Sequence, residues 1–205
     1  MIGFYNYTVV LTYTSLGISV FGMTQAIHGR FKTAIICLAL SGLCDMFDGK
    51  IARTKKNRTE DEKRFGIQID SLCDIVCFGV APALLCYRLG MRSLIGIFIL
   101  MIYVLAGLIR LAFFNVMEER RQDETDENRK YYQGLPITSA AIALPIVFML
   151  SPILRRDFLV TLHAVVLTIG ILFITNFKLK KPKNATLAVL VTIVAIAVLK
   201  LFHVG

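Results

Sequence analysis

The chain has 205 residues, of which 56% are hydrophobic and 18% charged, against about 25% charged in a typical soluble domain. Its 23 basic and 14 acidic residues give a formal net charge of +9, and most of the basic residues flank apolar runs, as membrane topology requires and nucleic-acid binding does not. So much apolar surface cannot be hidden in a soluble protein of this size. That excludes a soluble enzyme, a disordered chain and a disulfide scaffold, and predicts an all-α, polytopic transmembrane helical bundle.

In chain order, the apolar runs predict seven spans, at about 3–27, 33–53, 67–88, 93–117, 134–152, 157–177 and 185–204. The first run has no basic leader and exceeds a signal-peptide core in length, so it is expected to be a true span. Loops at 54–66, 118–133 and 178–184 alternate with loops at 28–32, 89–92 and 153–156. With the flanking Arg53, the first set carries six, four and four Lys or Arg; the second carries Arg30, Lys32, Arg88, Arg92, Arg155 and Arg156. The positive-inside bias therefore puts the N-terminus and the 54–66 and 118–133 loops in the cytoplasm, beneath the cell membrane, and an odd number of spans leaves Gly205 outside. The chain reads as one integral membrane domain over 1–205, with a core at about 1–177 and an extra span at about 185–204. The five cysteines, Cys37, Cys44, Cys73, Cys77 and Cys86, all lie in or beside apolar segments, where small buried hydrophobes are expected and disulfides are not.

Ten of the 14 acids lie in loops, but Asp45, Asp48, Asp70 and Asp74 fall inside predicted spans. Asp45 and Asp48 stand i,i+3 on the second span, with Gly49 and Ala52 continuing that face. Asp70 and Asp74 stand i,i+4 on the third, with Gly66 before them on the same face. At about 1.5 Å of rise per residue, Asp45 and Asp74 lie about 12 Å in from the cytoplasmic helix ends, and Arg110 on the fourth span lies at a similar depth. These acids could simply pair with bases to hold helices together, yet Lys50 and Arg110 are the only bases in reach and cannot balance four carboxylates. Ionised together, the four would repel one another and carry a large desolvation cost. Hard divalent cations such as Mg²⁺, Mn²⁺ or Ca²⁺ remove the conflict, and four oxygen donors suit two ions about 3.5–4 Å apart, as in phosphoryl transfer. Intramembrane acids are functional by default.

CDMFDGKIAR followed by GIQIDSLCD resembles the signature of the CDP-alcohol phosphotransferases, D-x2-D-G-x2-A-R-x8-G-x3-D-x3-D. Asp45, Asp48, Gly49, Ala52, Arg53, Gly66, Asp70 and Asp74 occupy its eight fixed positions. Twelve residues, Thr54 to Phe65, separate Arg53 from Gly66, where the family usually has eight. Within the family, DSLCDIVCFGVAPALL, RLAFFNV, GLPI and TNFKLKKPK are similar to the membrane-embedded phosphatidylserine synthases. Phe113 stands where Arg is common, and Thr138 where Pro often stands.

The resemblance implies that Asp45, Asp48 and Asp70 bind two metal ions, Mg²⁺ or Mn²⁺, and that Asp74 completes the site and acts as general base. It implies that Gly49 and Ala52 let a cytidine approach closely, that Arg53 contacts the nucleotide and that Gly66 belongs to the same CDP-binding set. Members commonly carry an Asn on the first span and a Thr three residues later. Thr12 and Ser15 have that spacing, with plain helix-packing hydroxyls as the alternative. The implied activity is transfer of the phosphatidyl group from CDP-diacylglycerol to the hydroxyl of L-serine, releasing CMP, and the implied assembly is a homodimer in the lipid bilayer. Arg110 could hold a phosphate oxygen or the serine carboxylate by a two-point fork, with Asn115 helping from the rim. Lys178, Lys180, Lys181 and Lys183 read as positive-inside anchors or as collectors of anionic substrate. His28, His163 and His203 have no matching Ser or Cys, which gives covalent catalysis little support. Two other readings are open. The acceptor could be glycerol 3-phosphate or an inositol phosphate, although Arg110 alone is a poor phosphate cluster. The four acids could instead be the ion site of a cation transporter, which predicts metal flux and no CMP.

Overall fold

The computed structural model describes residues 3–4, 7–52, 54–55, 59–124 and 131–180, with the backbone alone at Lys50, Ala52, 121–124, 131–133 and 178–180. Arg53 and the expected span at 185–204 lie outside the described residues. A 3-10 turn, Tyr7–Val9, leads into α1 (Val10–Ile27), which packs along α2 (Phe31–Ala52). The reversal between them takes only three residues, with Gly29 at φ +77°, a conformation that favours glycine.

A single rod, Glu60–Leu89, follows and consists of α3 (Glu60–Asp74), a π-helical segment (Ile75–Val80) and α4 (Ala81–Leu89). Thr59 starts it with a capping box: the Thr59 side chain accepts the Glu62 N–H while the Glu62 carboxylate accepts the Thr59 N–H. Lys55 reaches the same carboxylate at 2.8 Å, and three acids in the first turn suit the positive end of the helix. This polar turn makes α3 begin seven residues before the apolar run at 67. Pro82 and Tyr103 together account for the π segment. Pro82 lacks the N–H that an α-helix would offer the Phe78 carbonyl, and the Tyr103 hydroxyl donates to that carbonyl instead.

Tyr103 belongs to α5 (Leu94–Glu124), which outruns its apolar part by a charged stretch at its C-terminal end. Next come β1 (Tyr131–Gln133), α6 (Ala140–Met149), α7 (Ser151–Leu154), α8 (Phe158–Ile174) and β2 (Lys178–Lys180). The two strands form an antiparallel ribbon with Tyr131 opposite Lys180, which ties the start of the α6 connection to the end of α8. Gly134 beside the ribbon donates to the Phe177 carbonyl at 2.8 Å.

The core runs through Ile35, Leu38, Phe78, Tyr103, Ile137, Leu162 and Val166, where α2 meets α6 and α5 meets α8. Small residues permit these approaches: a Cβ placed on Gly42 would lie 2.5 Å from the Ala141 Cβ. Leu94, Ile95, Phe98, Met101 and Val160 face outward, as a lipid solvent allows. Among the described residues, four helices are long and apolar enough to cross a membrane: Tyr7–Ile27, Glu60–Leu89, Leu94–Arg120 and Ser151–Ile174. α2 has the length, 22 residues, but Lys32, Asp45, Asp48 and Lys50 dilute its apolar content. The expected span at 134–152 is shorter than predicted. Its apolar helix covers Ile137–Met149, with Pro136 before it and a turn at Leu150 after it.

Candidate active site

Asp45 and Asp48 lie in the last two turns of α2, and Asp70 and Asp74 in the last two turns of α3, immediately before the π segment. The two sequence pairs meet as one cluster. One carboxylate oxygen from each of Asp45, Asp70 and Asp74 lies within 4.8 Å of the others. Asp48 lies against Asp70, is 8% exposed, and accepts a hydrogen bond from Thr12 Oγ1 on α1 at 3.2 Å. Thr12 is therefore turned toward the carboxylates. Ser15, one turn along α1, is turned inward to Ser41 of α2.

The donor set fits a divalent cation. Metal–oxygen bonds of about 2.1–2.4 Å put opposed oxygens up to about 4.2–4.8 Å apart, and the oxygens of Asp45, Asp70 and Asp74 lie close enough together to share one ion. Carboxylates are the hard, anionic ligands that Mg²⁺, Mn²⁺ and Ca²⁺ prefer.

Gly49 follows the cluster on α2, is exposed, and has open space where a Cβ would stand. Helix packing among the described residues gives no reason for glycine there, whereas a ligand lying against the helix would. Ala52 continues the face on the last turn of α2, and Gly66 lies half-buried on α3. Above them, the Tyr7 hydroxyl is 3.0 Å from Thr54 Oγ1, and the Phe4 and Phe65 rings meet edge to face at 5.5 Å. The N-terminal segment thus reaches the longer 54–66 connection.

On α5, Arg110 and Asn115 are both buried, each 9% exposed. Asn115 is engaged by α3: Ser71 Oγ donates to its Oδ1 at 2.7 Å, and its Nδ2 donates to Gln68 Oε1 at 3.3 Å. Gln68 in turn donates to Glu119 at 3.2 Å, completing a ladder on the flank of α3 beside Asp70 and Asp74. Ser41, Gln68 and Ser71 carry no motif in the sequence; the one signal is that Ser41 stands four residues before Asp45 on the same face of α2.

A family model described as CDP-alcohol phosphatidyltransferase matches residues 5–175, a stretch that includes all four carboxylates, Arg110 and Asn115. The chain belongs to the CDP-alcohol phosphatidyltransferase family. Among similar relatives, the CDP-diacylglycerol–serine O-phosphatidyltransferase of Saccharomyces cerevisiae is 33% identical over 160 residues, covering 70% of this chain and 56% of that protein. The enzyme of the same name from Helicobacter pylori is 29% identical over 199 residues, covering 92% of this chain and 79% of its own. The archaetidylserine synthase of Methanothermobacter thermautotrophicus is 37% identical over 120 residues, 58% of this chain and 47% of that protein.

Proposed function

We propose that this chain transfers the phosphatidyl group of CDP-diacylglycerol to the hydroxyl of L-serine, giving phosphatidylserine and CMP. The observation that carries the reading is the convergence of Asp45, Asp70 and Asp74 beside the open face at Gly49, on a chain of this family. Asp45, Asp48, Asp70 and Asp74 would hold divalent ions, Mg²⁺ or Mn²⁺. When bound, these supply Lewis-acid stabilisation of the pyrophosphate and of CMP as it leaves.

The donor's acyl chains lie in the bilayer and its pyrophosphate at the headgroup level, while serine arrives from the cytoplasm. Gly49 and Ala52 leave room for the cytidine along α2, with Gly66 and Arg53 in the same set. Thr12 holds the Asp48 carboxylate in place through its hydroxyl. Asp74 accepts the proton of the serine hydroxyl as that oxygen attacks the phosphorus bearing diacylglycerol, and the bond from this phosphorus to the CMP oxygen breaks. Arg110 steadies a phosphate oxygen through its guanidinium, and Asn115 supports it from the α3 side. No covalent intermediate is required. The enzyme would work as a homodimer in the cell membrane with its site facing the cytoplasm, and residues 1–177 would form its catalytic core.

Serine is favoured over glycerol 3-phosphate or an inositol phosphate because all three relatives above carry serine in their names. A phosphorylated acceptor would also call for more buried bases than Arg110. The test is purified protein given CDP-diacylglycerol and labelled serine. Label should enter the lipid phase, stop with chelator and resume with Mg²⁺ or Mn²⁺. Undiminished turnover in metal-free buffer would remove the metal from the mechanism.

A further inference from the structure

One turn deeper than the carboxylates, each element that carries or supports them contributes a small polar residue to a single buried contact. Ser41 stands four residues before Asp45 on α2, Ser15 three after Thr12 on α1, and Cys77 three after Asp74 in the π segment. Ser15 Oγ and Ser41 Oγ are 2.7 Å apart. Each hydroxyl also lies in range of the other residue's main-chain carbonyl, at 3.1 and 3.2 Å. Whichever way the protons point, both hydroxyls have an acceptor. Cys77 Sγ joins at 3.8 Å from Ser15 Oγ. All three are nearly inaccessible: Ser15 is 3% exposed, Ser41 0% and Cys77 1%.

We infer that Ser15, Ser41 and Cys77 are positioning residues, a polar knot that fixes the register of α1, α2 and the π segment so that the four carboxylates meet. Apolar packing tolerates a small slide or rotation of one helix on another, whereas a reciprocal pair of buried hydroxyls is satisfied at one register only. The need for such a device is local. Four like charges push α2 and α3 apart, and ligand atoms misplaced by about 1 Å make a loose metal site. Because Ser15 and Thr12 share one face of α1, the register that closes the Ser15–Ser41 pair also brings Thr12 onto Asp48. The bland alternative is that the hydroxyls merely improve packing.

The inference rests on the carboxylates being a metal site, and the experiment separates the two ideas. Mn²⁺ is titrated into purified, detergent-solubilised protein and free Mn²⁺ is read by electron paramagnetic resonance, with the thermal midpoint of the metal-free protein measured alongside. The double variant Ser15→Ala/Ser41→Ala removes both hydroxyls at once, so neither is left without the other. Its Kd for Mn²⁺ should rise about tenfold, the usual cost of losing support behind a metal ligand, with little change in the midpoint. Ser15→Thr, which keeps the hydroxyl, should bind nearly as the wild type. If the double variant does not insert, Ser41→Ala alone, which leaves Ser15 Oγ the Ser41 main-chain carbonyl as acceptor, should show a rise in the same direction. Wild-type affinity in the variant, or a midpoint that falls in step with affinity, would overturn the knot. Absence of Mn²⁺ binding by the wild type would instead overturn the metal site beneath it.

Discussion

Replacing Thr12 with valine keeps the shape of the side chain and deletes one hydroxyl, the donor to Asp48 Oδ2 at 3.2 Å. Both residues are buried, Thr12 at 6% and Asp48 at 8% exposure, so water does not readily replace the donor. A hydrogen bond to a charged group is worth about 1.5–3 kcal/mol, and a length of 3.2 Å argues for the lower end. About 1.5 kcal/mol is roughly a tenfold change in an equilibrium constant. If Asp48 helps to hold metal, Thr12→Val should raise the half-saturating Mn²⁺ for CMP release about tenfold. At saturating Mn²⁺, the KM for CDP-diacylglycerol should stay within about twofold of wild type. The assay is CMP release in mixed micelles over a Mn²⁺ series, repeated with CDP-diacylglycerol varied at the highest Mn²⁺. An unchanged Mn²⁺ curve with a raised KM would refute this reasoning and move Thr12 from the carboxylates to the nucleotide.

Asp74→Asn should cut kcat by roughly 10²–10⁴-fold while CDP-diacylglycerol still binds, as measured by turnover and by equilibrium binding; a loss of binding would make Asp74 chiefly a ligand. Arg110→Lys keeps the charge and loses the planar fork, so the KM for CDP-diacylglycerol should rise and that for serine should not. The reverse pattern would put serine's carboxylate on Arg110. Gly42→Ala brings a Cβ to 2.5 Å from that of Ala141 and should cost about 1–3 kcal/mol, read as a lower thermal midpoint in detergent. Cysteines engineered at Asn57 and Asp126 should react with an impermeant reagent only from the cytoplasmic side; labelling of intact cells would reverse the orientation.

The sequence carried the meeting of the carboxylates better than it carried the helix ends. An acid inside an apolar run is conspicuous, and the spacings i,i+3 and i,i+4 told which faces of two helices must meet. Asp45, Asp70 and Asp74 do converge. Apolar content, however, marks where a bilayer begins and not where a helix does. α3 starts at Glu60 because Thr59 and Glu62 cap it, and α5 runs on to Glu124 through charged residues. The late start of the helix in the 134–152 run was present in the sequence as Pro136, but hydropathy gives proline too little weight. Three-residue strands such as Tyr131–Gln133 are too short to show a period, so the ribbon left no trace. The π segment depends on a distant tyrosine as well as on Pro82. Ser15 illustrates the remaining limit: spacing from Thr12 placed it on the right helix, but only the packing of α1 on α2 turns it to Ser41.

The most direct measurement of the proposed chemistry is CMP release from CDP-diacylglycerol by the purified protein, with L-serine, glycerol 3-phosphate and an inositol phosphate offered in separate reactions. Release that depends on serine, with phosphatidylserine formed in equal amount and neither phosphorylated acceptor supporting turnover, is the expected result. Release driven by glycerol 3-phosphate or an inositol phosphate instead, or metal flux without any CMP, would contradict it.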